Sequence, residues 1–310
     1  MKYLIIQLSD ASVSLCNYTA SENDNLISLD DLKKGLIWGV KNGLSIQIVF
    51  PNFELPKSYL SLLTRFEHVN ICSTKQSVEN GILVIDDIDE FLSIHSVEVP
   101  VILHLTISEF LKRQKDIAEN LYKFIRLNII FTDIQNFSDE LSEEYERALA
   151  MLSDKIFELY VREQPVQLNL ITDRTMLTRM NNCNAGVDSI TLAPDGNFYI
   201  CPAFYLSSSS NCGSPEENVN IPNNHLYTLS FAPICRECDA FHCKRCIYQN
   251  KFFTYEINTP GHKQCTMSHI ERNVSRILLE KIRDFGEYAP NVSIPPLEYN
   301  DPFYKIINKN

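Results

Sequence analysis

The chain of 310 residues is long enough for one large core or for two domains. Its content of 45% hydrophobic and 22% charged residues is typical of a globular protein, and its net charge of -11 argues against nucleic acid, since a phosphate backbone favours a basic surface. No run of eighteen apolar residues is present, and the N-terminus becomes acidic too early for a signal peptide. We therefore expect a cytoplasmic protein with no membrane partner.

The first 175 residues alternate short apolar runs with helical patterns. Strands are predicted at 3–8, 45–50, 69–72, 82–85, 99–105, 127–131 and 168–171. Helices are predicted at 29–42, 57–66, 86–94, 108–124 and 138–161, with N-terminal caps at Ser28, Ser108 and Ser138 and a C-terminal glycine at Gly43. Such alternation predicts a parallel sheet with right-handed crossovers. About six βα units favour a partial β/α barrel, with a doubly wound sheet as the alternative.

The composition changes near Arg174, from where glycine, asparagine, serine and proline dominate up to about Gly261. Such a segment cannot build an ordinary core, so we expect bound metal to hold it together. A helix is predicted at 264–284, followed by an ordered strap at 289–310. We therefore predict a partial barrel at 1–175 and a cysteine-rich domain with a C-terminal helix and tail at 176–310.

Four of the ten cysteines lie within twelve residues of this second part. They form two pairs, each separated by two residues, at Cys235, Cys238, Cys243 and Cys246. A tight turn between the members of such a pair brings both sulfurs to one ion. In a reducing compartment this spacing indicates metal or cluster ligands rather than disulfides. The residue types alone leave iron–sulfur and zinc open.

Three further cysteines flank this group: Cys183, Cys201 and Cys265. The residues between the first two predict a β-hairpin, with strands at 189–192 and 197–200 around the turn Ala193-Pro-Asp-Gly196. The ends of a hairpin lie side by side, so we expect Cys183 and Cys201 to lie close together.

The whole pattern is Cys183-x12-Gly196-x4-Cys201, then the four clustered cysteines, then Cys265. It resembles the SPASM domain, a C-terminal extension of many radical S-adenosylmethionine enzymes that modify peptides. That domain has five and three residues inside the central group, where this chain has four and two. The resemblance implies one or two 4Fe–4S clusters, with zinc as the alternative.

By this resemblance, one cluster would be held by Cys235, Cys238, Cys243 and Cys265. The other would be held by Cys183, Cys201 and Cys246, with one iron left for Cys212 or for a thiol of a bound peptide.

A closer resemblance rests on the run Cys238-Asp-Ala-Phe-His-Cys-Lys-Arg-Cys246 together with Gln264-Cys265 and His269-Ile-Glu-Arg-Asn273. These residues, with Leu-Ser-Asp near the N-terminus, resemble the CXXX repeat peptide maturase family. The resemblance implies a radical-SAM-like layout and a ribosomally made precursor peptide with Cys-x-x-x repeats; we expect a partner radical SAM enzyme because this chain lacks the radical motif after its first strand.

One departure concerns the loop after the first strand. Radical SAM enzymes carry Cys-x3-Cys-x2-Cys there, whereas this chain has Cys16, Ala20 and Asn23 at the corresponding spacing. Alanine and asparagine cannot replace thiolates as cluster ligands, so we expect no radical cluster of the usual kind.

Several side chains near the cysteines have two interpretations. His242 is more typical of a donor to cluster sulfur than of a ligand. Lys244 and Arg245 either offset cluster charge or belong to the surface, and Glu271 and Arg272 are predicted to form a structural salt bridge.

Three functions remain open from the sequence. The first is a peptide-maturation protein that binds or modifies the precursor through a SPASM-like iron–sulfur domain. The second is a zinc-stabilised scaffold without catalytic activity. The third is an enzyme that binds S-adenosylmethionine without cleaving it.

Overall fold

The structure, a computed structural model, describes residues 1–18, 21, 23–76, 80–286 and 290–297. The chain forms two compact units, each made of two segments. The first unit comprises Met1–Val84 and Cys183–Pro233, and the second comprises Ile85–Asn182 and Ile234–Asn310. The domain boundary at 175–176 stays a prediction.

In chain order, the described elements are β1 (Tyr3–Gln7), α1 (Leu29–Lys41), β2 (Ser45–Val49), α2 (Lys57–Leu63), β3 (Val69–Ser73), β4 (Gly81–Ile85), α3 (Ile88–Ser93), β5 (Val101–Leu105), α4 (Ile107–Asn120), β6 (Arg126–Phe131), α5 (Asp139–Val161), β7 (Gln167–Leu168), α6 (Thr172–Met176), β8 (Ser189–Leu192), β9 (Phe198–Tyr199), α7 (Pro202–Leu206), β10 (Gly213–Ser214), β11 (Asn218–Val219), α8 (Ile247–Thr254) and α9 (His262–Phe285).

The first unit contains a sheet with the strand order β4-β3-β2-β1-β8-β9. All neighbours pair in parallel except β8 and β9, which form the predicted antiparallel hairpin. Helix α1 packs closely on this sheet at Gly35, where a Cβ atom would lie 2.1 Å from a methyl carbon of Leu192. A Cβ atom at this position would force the buried side chain of Leu192 to move, so glycine allows this close helix–sheet contact.

The second unit contains the parallel strands β7-β6-β5. Its core includes the ring of Tyr145 on α5, which contacts Phe110, Phe131 and Phe137. The α/β class with parallel strands is confirmed. Within the described residues, neither unit closes its strands into a barrel, in agreement with the expected open arrangement.

Helix caps agree with the sequence at Ser28, whose hydroxyl accepts the amide hydrogen of Asp31. The predicted cap Ser108 is wrong. Thr106 caps α4 instead, in a reciprocal pair with Glu109, and Ser108 lies inside the first turn. Ser138 is the residue before α5, although its side chain makes no capping bond there.

Three further differences concern lengths and pairing. The predicted strand 168–171 ends at Leu168, because Ile171 already precedes α6. Helices α6, α7 and α8 were not predicted. The hairpin also joins the sheet, since β8 pairs with β1 in parallel.

The described part of the C-terminal tail, residues 290–297, packs along α9. Val292 and Ile294 are buried against Leu279, and the Arg283 guanidinium donates to the carbonyl oxygen of Val292. The rest of the predicted strap lies outside the described residues. No helix in the described part of the chain has the length and apolar run needed to cross a membrane.

Candidate metal centre

The cysteine loop of the second unit is built from tight turns. The amide of Cys238 donates to the carbonyl of Cys235 over 3.2 Å, and the amide of Cys243 donates to that of Ala240 over 3.0 Å. Cys246 immediately precedes α8. The spacing of Cys235 and Cys238 therefore produces the turn that the sequence predicts, and a second turn runs from Ala240 to Cys243. Cys265 lies in the first turn of α9, where its amide donates to Gly261.

The sulfur of Cys238 accepts hydrogen bonds from its surroundings. The amide nitrogen of Ala240 donates to this sulfur over 3.4 Å, and Nε2 of His269 lies 3.5 Å from it. Amide donors to sulfur stabilise metal-bound thiolates and, in iron–sulfur proteins, help to set the reduction potential.

The sulfur of Cys243 has a similar environment. The amide nitrogen of Arg245 donates to it over 3.5 Å, and the side-chain amide of Gln264 lies 3.9 Å away. Because Gln264 precedes Cys265 on α9, this contact brings the first turn of the helix to the loop.

Thiols in this loop affect one another electrostatically. Burial raises the pKa of Cys235 to about 12, and the charges of Cys243 and Cys238 as thiolates add to this rise. Burial likewise raises the pKa of Cys238 to about 11, with a further contribution from Cys243. These shifts favour the neutral thiols; if all three bound a metal as thiolates, their charges would need a compensating positive group, because like charges in a buried site repel.

Asp239 anchors the loop to two helices. Its carboxylate accepts from Arg272 of α9 through Nε at 2.9 Å and Nη2 at 2.6 Å, which is a bidentate pair. Nη2 of Arg174, on α6, lies 3.4 Å from the same carboxylate, and Nε of Arg174 donates to the Asp239 carbonyl over 2.6 Å. The guanidinium of Arg174 also lies 4.6 Å from the ring centre of Phe241.

Both arginines are buried, with exposures of 1% for Arg174 and 0% for Arg272. Burial tends to raise the pKa of Asp239, but the two guanidinium groups outweigh it and lower that pKa below its usual value. The sequence interpretation missed Arg174 and Asp239. No local pattern connects residues at 174, 239 and 272, so this cluster could be found only from the folded chain.

A second buried polar cluster surrounds Glu271. The hydroxyl of Tyr145 donates to its Oε1 over 2.6 Å, and Nε2 of His242 lies 3.0 Å from its Oε2. Among the described residues, Nδ1 of His242 has no hydrogen-bond partner. The predicted salt bridge between Glu271 and Arg272 does not form. Adjacent positions on a helix point about 100° apart, so each side chain finds its own partner.

The two basic residues between Cys243 and Cys246 differ in their positions. Lys244 is exposed, whereas Arg245 is buried and donates to the side chain of Asn258 over 2.9 Å. The charge of Arg245 lowers the pKa of Cys235, against the larger effect of burial. Of the two interpretations, a charge near the cysteines applies to Arg245 and a surface position to Lys244.

The cysteines of the first unit lie at the ends of the hairpin. Strands β8 and β9 pair through Thr191 and Tyr199, and the hydroxyl of Ser189 donates to the carbonyl of Cys183 over 3.1 Å. This register brings the backbone of Cys183 toward the end of β9, which Cys201 follows. Cys183 is exposed and Cys201 is half-buried.

The loop after β1 also belongs to the first unit. Burial raises the pKa of Tyr18, and the charges that Cys16 and Cys201 would carry as thiolates add to the rise. Both cysteines therefore lie near the phenol of Tyr18. Cys212 is buried, and the amide of Ile200 is a donor that lowers its pKa against the larger effect of burial. Ala20, the second position of the missing radical motif, lies outside the described residues.

The side chains available as donors determine whether this site fits a metal cofactor. Among the described residues, no group of three or more His, Cys, Asp or Glu side chains is arranged to hold a metal ion. The second unit nevertheless combines three mutually interacting thiols, amide donors to two sulfurs and buried positive charge. These features fit an anionic thiolate-bound cluster. Cys246 belongs to the second unit, and Cys183 and Cys201 belong to the first.

Comparison with solved structures finds the fold of this chain in anSMEcpe, a protein solved with bound AdoMet. One match is hexahistidine-tagged anSMEcpe with bound AdoMet, with a TM-score of 0.63 and 14% identity over 93% of this chain and 96% of that chain. Native anSMEcpe with bound AdoMet and Cp18Cys peptide has a TM-score of 0.61 and 15% identity over 91% of this chain and 99% of that chain.

Streptococcus suis SuiB bound to precursor peptide SuiA also matches, with a TM-score of 0.45 and 13% identity over 73% of this chain and 64% of that chain. No protein-family profile matches the sequence, and no curated protein matches it.

Proposed function

We propose that this chain is an iron–sulfur protein that acts in the maturation of a ribosomally made peptide. The observation that carries this proposal is the anchored cysteine loop, with amide donors directed at the sulfurs of Cys238 and Cys243. The maturase-like fold supports the same role, because anSMEcpe has a similar fold and binds AdoMet and a peptide.

The residues that would hold a 4Fe–4S cluster in the second unit are Cys235, Cys238, Cys243 and Cys265. A cluster would supply one-electron chemistry at this site. The protein contributes the turns that fix the sulfurs, the amide donors and the buried charges around them. Cys183, Cys201 and Cys246 remain the proposed ligands of a second cluster.

The substrate is proposed to be a precursor peptide with Cys-x-x-x repeats. The loop after β1 carries Cys16 but no further thiols at 20 and 23. Cleavage of S-adenosylmethionine would then belong to a partner radical SAM enzyme, and this chain would bind and present the peptide or act through its own clusters.

A binding experiment tests this role directly. The anaerobically purified protein is titrated by calorimetry with a synthetic peptide of three Cys-x-x-x repeats, and with a matched peptide that has serine in place of each cysteine. We expect saturable binding of the first peptide and at least tenfold weaker binding of the second. Equal binding, or no binding of either peptide, would contradict the proposed substrate.

A further inference from the structure

The charges around Asp239 do not balance. Arg174 and Arg272 contribute two positive charges, because a guanidinium stays protonated in proteins, and Asp239 contributes one negative charge. Within the described part of the chain, the remaining hydrogen-bond partners of the two guanidinium groups are uncharged: the carbonyl oxygens of Leu177, Ser293, Asp239 and Pro295 and the side-chain oxygen of Asn273. The three side chains therefore carry one net positive charge.

This charge lies at the cysteine loop and is poorly screened. Asp239 is the residue directly after Cys238, and Nε of Arg174 donates to the carbonyl oxygen of Asp239 over 2.6 Å. Both guanidinium groups are almost fully removed from water. Interactions between buried charges are much stronger than those between exposed charges, which solvent and salt screen.

An exposed arginine, in contrast to the two buried ones, lies three residues before Asp239 in the sequence. Arg236, beside Cys235, has a side chain that is 53% exposed and pairs with the exposed Glu237. It is as near in sequence to a proposed ligand as Asp239 is, but its charge is in solvent. Arg236 is thus a matched control for the effect of burial.

We propose that Arg174, Asp239 and Arg272 form a charge unit that sets the reduction potential of the metal centre at Cys238. This inference rests on the proposed iron–sulfur function and assigns a positioning role to three residues outside the ligand set. When a cluster accepts one electron from a reductant such as dithionite, it gains one negative charge and no bond breaks. A net positive charge nearby stabilises the reduced form and raises the potential.

The charge unit predicts that removing an arginine and removing the aspartate shift the reduction potential in opposite directions. Arg174→Gln and Arg272→Gln each remove a positive charge and lower the potential. Asp239→Asn removes the negative charge and raises it. Arg236→Gln leaves it unchanged. A purely structural role predicts another pattern, because every variant that loosens the loop admits water and shifts the potential in the same direction.

The experiment is a redox titration of the full chain, followed by electron paramagnetic resonance under anaerobic conditions. Iron content and circular dichroism are measured for each variant, to separate loss of cluster from a shift in its potential. Opposite shifts for Arg174→Gln and Asp239→Asn, with no shift for Arg236→Gln, are the expected result. If Asp239→Asn does not fold, a lower potential in Arg174→Gln with an unchanged Arg236→Gln supports the proposal.

The charge unit would be overturned if the reduction potential shifted in one direction in all three buried variants, or did not shift in any of them, while each protein still held iron. The proposed function would then remain intact. A wild-type protein that binds no cluster would overturn both.

Discussion

The two groups of cysteines in this chain are held in different ways. In the second unit, Cys235, Cys238 and Cys243 lie in a loop that buried arginines fix through Asp239. In the first unit, Cys183 and Cys201 lie at the ends of a hairpin whose backbone pairing fixes them, and Cys183 is exposed. A segment without its own apolar core can thus be ordered either by buried ion pairs or by main-chain geometry.

The largest expected effect concerns the ion pairs. Asp239→Ala leaves two guanidinium groups buried without their carboxylate, so we expect a loss of about 3–5 kcal/mol in the free energy of unfolding. Urea denaturation measures this loss. The control Glu237→Ala removes an exposed carboxylate two residues away and should change the value by less than about 0.5 kcal/mol. A small loss for Asp239→Ala would mean that the ion pairs do not hold the loop.

The hairpin of the first unit is tested at its turn. Gly196 has a φ of +82°, and a Cβ atom there would lie 3.0 Å from Cγ of Asp31. We expect Gly196→Ala to cost about 1–2 kcal/mol of unfolding free energy. Gly286→Ala is the control, because Gly286 has an extended backbone and nothing lies within 4 Å of the added carbon. Equal effects of the two changes would contradict the role of the turn.

The buried thiol of Cys72 makes the free energy of unfolding depend on pH. Burial raises the pKa of Cys72 on β3 from 9.0 to about 11, so the folded state favours the neutral thiol. The contribution of the neutral Cys72 thiol to the free energy of unfolding is present below pH 9 and is lost as the pH rises from 9 to about 11. We expect the wild type to lose roughly 1 kcal/mol more than Cys72→Val between about pH 7 and about pH 10. Identical losses in the two proteins would exclude this contribution.

The smallest expected effect distinguishes two helix caps. Thr106→Ala removes the reciprocal cap of α4 and should lower the unfolding free energy by about 0.5–1 kcal/mol. Ser108→Ala, within the first turn, should have almost no effect. The reverse order would restore the cap that the sequence pattern predicts.

The sequence predicted those features that depend on neighbouring residues. The turns at Cys235 and Cys238, the hairpin around Gly196 and the cap at Ser28 follow from short-range chemistry, and the structure contains them. The cap at Ser108 was wrong, although the sequence distinguishes the two residues: Thr106 has Glu109 three residues later, as a capping box requires, whereas Ser108 has Leu111.

Contacts between distant residues were not predictable in this way. The pairing of β8 with β1 and the pairs of Arg174 and Arg272 with Asp239 join positions far apart in the chain. A buried arginine has no signature in a single sequence, since the same residue is usually exposed. The candidate site was therefore visible from its sulfurs, while the charges around them were not.

We propose that the second unit holds an iron–sulfur cluster. This proposal is tested by the metal and sulfide content of the anaerobically purified protein, with Mössbauer spectra of the iron-57 form, for the wild type and for Cys238→Ala. We predict iron and inorganic sulfide in the wild type, with the spectrum of a 4Fe–4S cluster, and a loss of at least four irons per chain in the variant. Zinc in place of iron, or an iron content that Cys238→Ala does not change, would contradict the presence of an iron–sulfur cluster at Cys238.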